Sequence, residues 1–253
     1  MSDDYLNINN NEMNNWNNLG YLLRPKHLFH NIKDINNSVE LLEKKKNRNC
    51  ESLFYYEEIN NSRQLCRIEK FINDSSLLHN VIMGKYITGF VSKLLDKPAF
   101  LYKEKINIKY NQGSGYAPHQ DATAYHKLRG HITCMIALTD MTEDNGCLFV
   151  VDLKNNSSLL PYDKNGCIQN DEVKLLEWRP ITMEAGDCLF FDSFVPHMSN
   201  RNLTVKPRKA VYLTFNDADE GNLRDNYYMD RDIKLKDNHG RISTIGHFQG
   251  KSV

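Results

Sequence analysis

The chain has 253 residues, enough for one large domain, and its 40% apolar and 25% charged residues give the balance of a soluble globular protein with a substantial core. Lys and Arg total 32 against 32 Asp and Glu, so the formal net charge is zero and the basic excess that drives nucleic-acid or anionic-membrane binding is absent. Nucleic acid and membrane are therefore not expected partners, while a neutral whole can still hold a local positive pocket. The six cysteines, Cys50, Cys66, Cys134, Cys147, Cys167 and Cys188, form no Cys-x-x-Cys pair, which excludes the usual zinc-knuckle and thioredoxin patterns. Several lie in apolar runs, such as Thr133-Cys134-Met135-Ile136, as buried reduced thiols do. The start Met1-Ser2-Asp3-Asp4 carries neither a basic nor an apolar leader region, and no stretch approaches transmembrane length. A cytoplasmic protein is the reading.

In chain order, residues 1–20 are rich in Asn and short of apolar mass, and are read as a flexible N-terminal segment ahead of one domain over 21–253. From Asp34 to Lys46 the spacing of Ile35, Val39, Leu41 and Leu42 predicts a helix. Phe54 to Glu58 reads as a strand, and Arg67 to Phe71 as a further apolar alternation. Ser75 to Leu95 predicts one long helix with a stripe of Leu77, Leu78, Val81, Ile82, Ile87, Phe90, Val91 and Leu94. After Pro98 the period changes to that of strands: 99–110, 132–138, 147–151, 188–191 and 210–215, with Asn145-Gly146 as a hairpin signal. Helices first and many short strands afterwards predict a mainly β sandwich or small barrel buttressed by N-terminal helices.

The chemistry gathers at His119-Gln120-Asp121. In an extended segment residues i and i+2 share a side, so an imidazole and a carboxylate converge. His197, in Phe194-Val195-Pro196-His197-Met198-Ser199, is the candidate third ligand from a distant strand. Two histidines and a carboxylate hold one face of octahedral Fe(II) and leave the other face for a bidentate co-substrate and O2. Such a pair alone is common by chance. Its context is what matters: Gly113-Ser114-Gly115 before it, the Gly186-Asp187 turn before the strand toward His197, and Arg208 eleven residues beyond His197. A planar guanidinium suits the far carboxylate of 2-oxoglutarate, and Ser199 supplies a hydroxyl nearby.

These residues resemble the phytanoyl-CoA dioxygenase family of 2-oxoglutarate oxygenases, over about Lys103 to Tyr228. The family's proximal His-x-Asp falls on His119 and Asp121, its distal His-x-Ser on His197 and Ser199, and its co-substrate arginine on Arg208. The resemblance implies a double-stranded β-helix (jelly roll, cupin-like), with Fe(II), 2-oxoglutarate and O2 as the reacting set and hydroxylation, with succinate and CO2, as the outcome. The presence of Asp121 favours hydroxylation over halogenation. One stretch departs from the family: after Val150-Val151 comes Asp152-Leu153-Lys154-Asn155-Asn156 where relatives usually run Pro-Gly-Ser-His. A narrower resemblance, carried by Tyr116-Ala117-Pro118-His119-Gln120-Asp121-Ala122 and by Leu189 through His197, is to the branch that hydroxylates 2-aminoethylphosphonate-type compounds.

The segment Lys103 to Tyr110 places Lys103, Lys105, Asn107 and Lys109 on one face and Ile106, Ile108 and Tyr110 on the other. Lys105 and Asn107 are read equally as cavity residues that bind co-substrate or a substrate anion and as an exposed strand edge. Lys103 and Lys109 are read as edge. Thr133 is read as a co-substrate hydrogen-bond partner or as core. Tyr125 is assigned to packing and His126 to a polar loop, His131 is declined as a ligand, and Asn200 and Asn202 line the mouth or shape a loop. Two readings compete with the phosphonate hydroxylase: the same chemistry on an amino acid or natural-product scaffold, and a non-catalytic metal-holding β-barrel that binds without turnover.

Overall fold

The computed structural model describes residues 6–27, 31–45, 50–125, 131–154, 157–236 and 242–253. His126 and the Asn155-Asn156 pair lie outside the described residues. The chain opens with helix α1 (Asn10–Leu19). This differs from the loose segment expected for 1–20. Asn9 and Glu12 form a reciprocal capping box, Gly20 closes the helix at φ 78°, and Trp16 is buried. Asn is a poor helix interior residue but an excellent cap, so local capping and one buried indole outweigh the composition. At Gly20 a Cβ would fall 2.4 Å from Leu153, so both the backbone angle and the packing require glycine.

Next come β1 (Tyr21–Arg24), α2 (Ile32–Glu43), β2 (Leu53–Ile59) and β3 (Ser62–Glu69). The predicted long helix over 75–95 is two helices, α3 (Ser76–Met83) and α4 (Phe90–Leu95), joined by a π turn over Lys85–Gly89. Gly84, at ψ 160°, breaks the ladder, while the apolar stripe on either side still packs inward. The remaining elements are β4 (Ala99–Lys109), β5 (Tyr116–His119), β6 (Ile132–Ala137), β7 (Leu148–Val150), α5 (Asn170–Val173), β8 (Arg179–Ile181), β9 (Cys188–Asp192), β10 (His197–Ser199), β11 (Arg208–Asp217) and α6 (Arg224–Lys236).

A seven-stranded sheet runs β1-β9-β6-β11-β4-β3-β2, and a four-stranded sheet runs β5-β10-β7-β8, with every pairing antiparallel. Strand alternation divides the large sheet into two chemical faces. Ile68, Ile106, Ile108, Cys134, Ile136, Val211 and Leu213 pack outward against Trp16, Val39, Leu42, Leu78 and Phe90 of the helices. Met135, Ala137, Leu189, Phe191, Ala210 and Tyr212 face inward and meet Leu148 and Val150 of the small sheet. Truncating a fully buried member such as Ile106 to Ala costs about 2–5 kcal/mol. The fold is the double-stranded β-helix. All six cysteines are free, and Cys66, Cys134, Cys147 and Cys188 are buried.

The hairpin β2–β3 lies along residues 105–107 of β4. β3 pairs with β4 in the register Arg67↔Asn107, while β11 covers the other side of β4. That stretch of β4 is therefore no edge. Its polar face looks into the space between the sheets, and Lys109, assigned to an exposed edge, is only 2% exposed. Alternation reveals which residues share a face but not which partner covers the strand.

Candidate active site

β5 and β10 pair so that His119 stands directly opposite His197. Gln120 is extended, at φ −117° and ψ 129°, which turns Asp121 to the same side as His119. The Gln120 side chain points away: its amide donates to the carbonyls of Ser158 and Phe194, and its oxygen accepts from Leu160 N–H at 2.7 Å. One ligand atom from each of His119, Asp121 and His197 comes within 4.8 Å of the others, and these three form the one such group among the described residues. All three are buried.

The two imidazoles are fixed in the same way. His119 Nδ1 donates to the Ala117 carbonyl at 2.8 Å, and His197 Nδ1 to the Val195 carbonyl at 2.9 Å. A carbonyl can only accept, so each Nε2 presents a lone pair to the common point. Burial, together with the neighbouring His247 and His197 rings, holds His119 well below its ordinary pKa and keeps it neutral. Burial alone would raise Asp121, but the Lys103 and Lys105 ammonium groups outweigh it and keep the carboxylate ionised. Two neutral imidazoles and one carboxylate on one side of a point fit ferrous iron with open positions opposite.

Arg208, at the start of β11, is 1% exposed, and its three guanidinium nitrogens have no hydrogen-bond partner among the described residues. Its cross-strand neighbour on β4 is Lys109. Lys109 Nζ donates to Ser199 Oγ at 2.9 Å and to the Asn200 carbonyl. Burial and the Arg208 charge push Lys109 well below its usual pKa. A buried, unpaired guanidinium is costly, and a planar carboxylate satisfies it. Ser199 already accepts from Lys109, so its own proton is available to that same anion. The chemistry of these three side chains would suit the far carboxylate of 2-oxoglutarate.

A cleft at the triad is lined by Lys105, Asn107, Tyr116, His119, Asp121, Leu148, His197, Met198, Ser199, Tyr212 and His247. Lys105 and Asn107 thus stand beside the triad, as does Ser199. Thr133 is not in the lining and pairs with Thr214 Oγ1 at 3.0 Å. His131 stacks on Tyr125 with ring centroids 4.4 Å apart, outside the ligand group. Asn202 is fully buried and shapes its loop by donating to the carbonyls of Lys109 and Lys206. Asn200 lines a separate surface groove with Arg201 and Gln249.

Sequence reasoning missed Lys109, Tyr116 and His247. Lys109 shares the face of Lys105 and Asn107, which was the available signal. His247 had none: it arrives on the C-terminal segment 242–253, with no motif linking it to the triad.

A family model for phytanoyl-CoA dioxygenase matches residues 20–210. The chain belongs to the phytanoyl-CoA dioxygenase family. It is similar to a methylphosphonate hydroxylase of Gimesia maris, 38% identical over 251 residues and covering 96% of each chain. It is also similar to a 2-aminoethylphosphonate dioxygenase from an uncultured bacterium, 35% identical over 193 residues, 76% of this chain and 74% of that one. Among solved structures, EctD from S. alaskensis with 2-oxoglutarate and 5-hydroxyectoine superposes with a TM-score of 0.70 over 87% of this chain and 79% of that one, at 17% identity. The epimerase SnoN with Fe3+, alpha ketoglutarate and nogalamycin RO gives 0.66 over 82% and 83%, at 19% identity. As a member of this family the chain is a 2-oxoglutarate-dependent non-haem iron dioxygenase that uses Fe(II) and O2. Among the described residues, no helix is long and apolar enough to cross a membrane.

Proposed function

We propose that this enzyme hydroxylates the carbon of a small alkylphosphonate, with 2-oxoglutarate and O2 converted to succinate and CO2. The observation that carries the reading is the cationic wall beside the triad. Lys105 lines the cleft, and burial followed by the nearby Lys103 charge lowers its pKa to about 7. Asn107 accepts from Arg67 Nε at 2.9 Å, which turns its amide N–H group toward the cleft as a donor. The Tyr116 hydroxyl accepts from Arg67 at 3.0 Å and keeps its own proton to donate. Three donors backed by buried positive charge suit a tetrahedral anion with several oxygens.

The same wall argues for a phosphonate without an amine. Among the described residues, Asp121 is the one carboxylate in the cleft lining. Glu69, behind it, is engaged by Arg67 at 3.1 Å and Arg231 at 3.0 Å. The aromatic faces that would receive an ammonium already carry cations: Lys105 lies 5.2 Å from the Tyr212 ring centre, and Arg67 5.5 Å from that of Tyr116. A methylphosphonate-type substrate is therefore favoured over 2-aminoethylphosphonate, in line with the relative matched over 96% of its length.

In this reading His119, Asp121 and His197 hold the iron, which supplies O2 activation when bound. Arg208, Ser199 and Lys109 hold the far carboxylate of 2-oxoglutarate. Lys105, Asn107 and Tyr116 hold the phosphonate, so that its carbon faces the open side of the metal point. Succinate release from purified enzyme with Fe(II), 2-oxoglutarate and O2 tests this. Methylphosphonate should stimulate it strongly and 2-aminoethylphosphonate weakly. Stimulation by amino acids alone, with every phosphonate silent, contradicts the reading.

A further inference from the structure

Residues 242–253 form a strap across the barrel. Ala117 N–H donates to the His247 carbonyl at 2.7 Å, Gln249 N–H to Gly115 at 3.1 Å, and Glu58 N–H to Lys251 at 2.8 Å. Isolated bridges join Tyr116 to Phe248 and Glu57 to Ser252. The strap lies beyond the 20–210 span of the family match and carries His247 into the cleft. There the ring packs on His119, centroid to centroid 4.1 Å.

His247 copies the arrangement of the two triad histidines. Its Nδ1 donates to the carbonyl two residues back, that of Ile245, at 2.9 Å. Its Nε2 is thereby left with a lone pair on the cleft side, yet His247 is not a member of the three-residue ligand group. The neighbouring wall supplies donors: the Lys105 ammonium, the Asn107 amide and the Tyr116 hydroxyl. An acceptor set among them recognises a ligand that presents a proton together with its acceptor oxygens.

We propose that His247 is a substrate-specificity residue whose Nε2 accepts a hydrogen bond from the protonated oxygen of a bound phosphonate. This rests on the phosphonate reading above. The three phosphonate oxygens then divide their roles: two accept from Lys105, Asn107 and Tyr116, and the third donates to His247. A sulfonate has the same tetrahedral shape but no proton to give. The site therefore separates phosphonate from sulfonate through one side chain on the strap.

The test is anaerobic titration of the Fe(II)–2-oxoglutarate enzyme with methylphosphonate and with methanesulfonate, following the change each makes in the visible charge-transfer band. Wild type should bind methylphosphonate more tightly. In H247L the band itself should persist, and the preference for phosphonate over sulfonate should fall about tenfold or more, the usual effect of losing a hydrogen bond to a charged partner. H247Q, which keeps an acceptor near Nε2, should recover part of it. An unchanged preference in H247L with wild-type phosphonate affinity overturns the role of His247 alone. Loss of the band in both variants also overturns it, by making the residue part of the metal assembly. A wild type that responds to no phosphonate overturns the phosphonate reading, and this inference with it.

Discussion

Arg208 and Lys109 bring two buried basic side chains to the paired ends of β11 and β4, with a serine hydroxyl between them and the cleft. Charge alone does not describe their division of labour. A lysine at 208 would keep the charge but lose the two parallel hydrogen bonds of a guanidinium. R208K should therefore raise the KM for 2-oxoglutarate by about tenfold or more with a small change in thermal stability, as succinate kinetics and a melting curve will report. Lys105 makes a different trade. Its pKa falls from 10.5 to about 7 on burial, so between those values the unfolded chain holds the proton more tightly and stability rises with pH. K105M should melt at a higher temperature than wild type near neutral pH while losing most phosphonate-dependent turnover. Calorimetry at pH 8 in buffers of different ionisation enthalpy should show proton uptake as methylphosphonate binds, and less uptake in K105M. Equal uptake in both would contradict the role given to Lys105. The convergence of His119, Asp121 and His197 was legible in the sequence because residues i and i+2 share a side of an extended segment, and Ser199 and Arg208 were singled out by their spacing from His197. Lys109 was misplaced because alternation is silent about which strand lies alongside.

At the scale of elements, β4 matters most. Its apolar face seals the helical layer and its polar face furnishes the cleft, so one strand serves both core and chemistry. That division was readable from residues 103–110. What could not be read was the β2–β3 hairpin lying along it, since strand pairing depends on contacts distant in sequence. The helix predicted over 75–95 kept its apolar stripe and lost its continuity at Gly84, where one backbone angle overrides an unbroken pattern. The C-terminal strap meets β10 at Gly115, where an added Cβ would fall 2.4 Å from the Ser199 carbonyl and 2.6 Å from Gln249 Oε1. G115A should push the strap off the barrel. Faster amide exchange over 242–253 and a raised KM for phosphonate, with 2-oxoglutarate affinity held closer to wild type, will show it. Unchanged exchange there would contradict the packing described.

For the whole molecule, the four-stranded sheet pairs β5 with β10 so that His119 and His197 become cross-strand neighbours despite their distance in sequence. The double-stranded β-helix was reachable from the resemblance. Composition and periodicity alone predicted only a sandwich or barrel with N-terminal helices, because closure into two facing sheets is a property of pairing order. Ligands should stabilise this assembly by linkage. At about a hundred times its Kd, 2-oxoglutarate with Fe(II) adds ~2.7 kcal/mol, or roughly 5–10 °C in Tm for a chain of this size, and R208K should forfeit about half of it or more. The account turns on one iron held by three side chains with its opposite face free. Anomalous diffraction at the iron edge, from crystals grown without oxygen in Fe(II) and 2-oxoglutarate, tests this most directly. The account predicts one peak bonded to His119 Nε2, Asp121 and His197 Nε2, with 2-oxoglutarate beside it, a position left for O2, and the far carboxylate reaching Arg208. Iron bound elsewhere, or a fourth protein ligand such as His247 closing the open face, would contradict it.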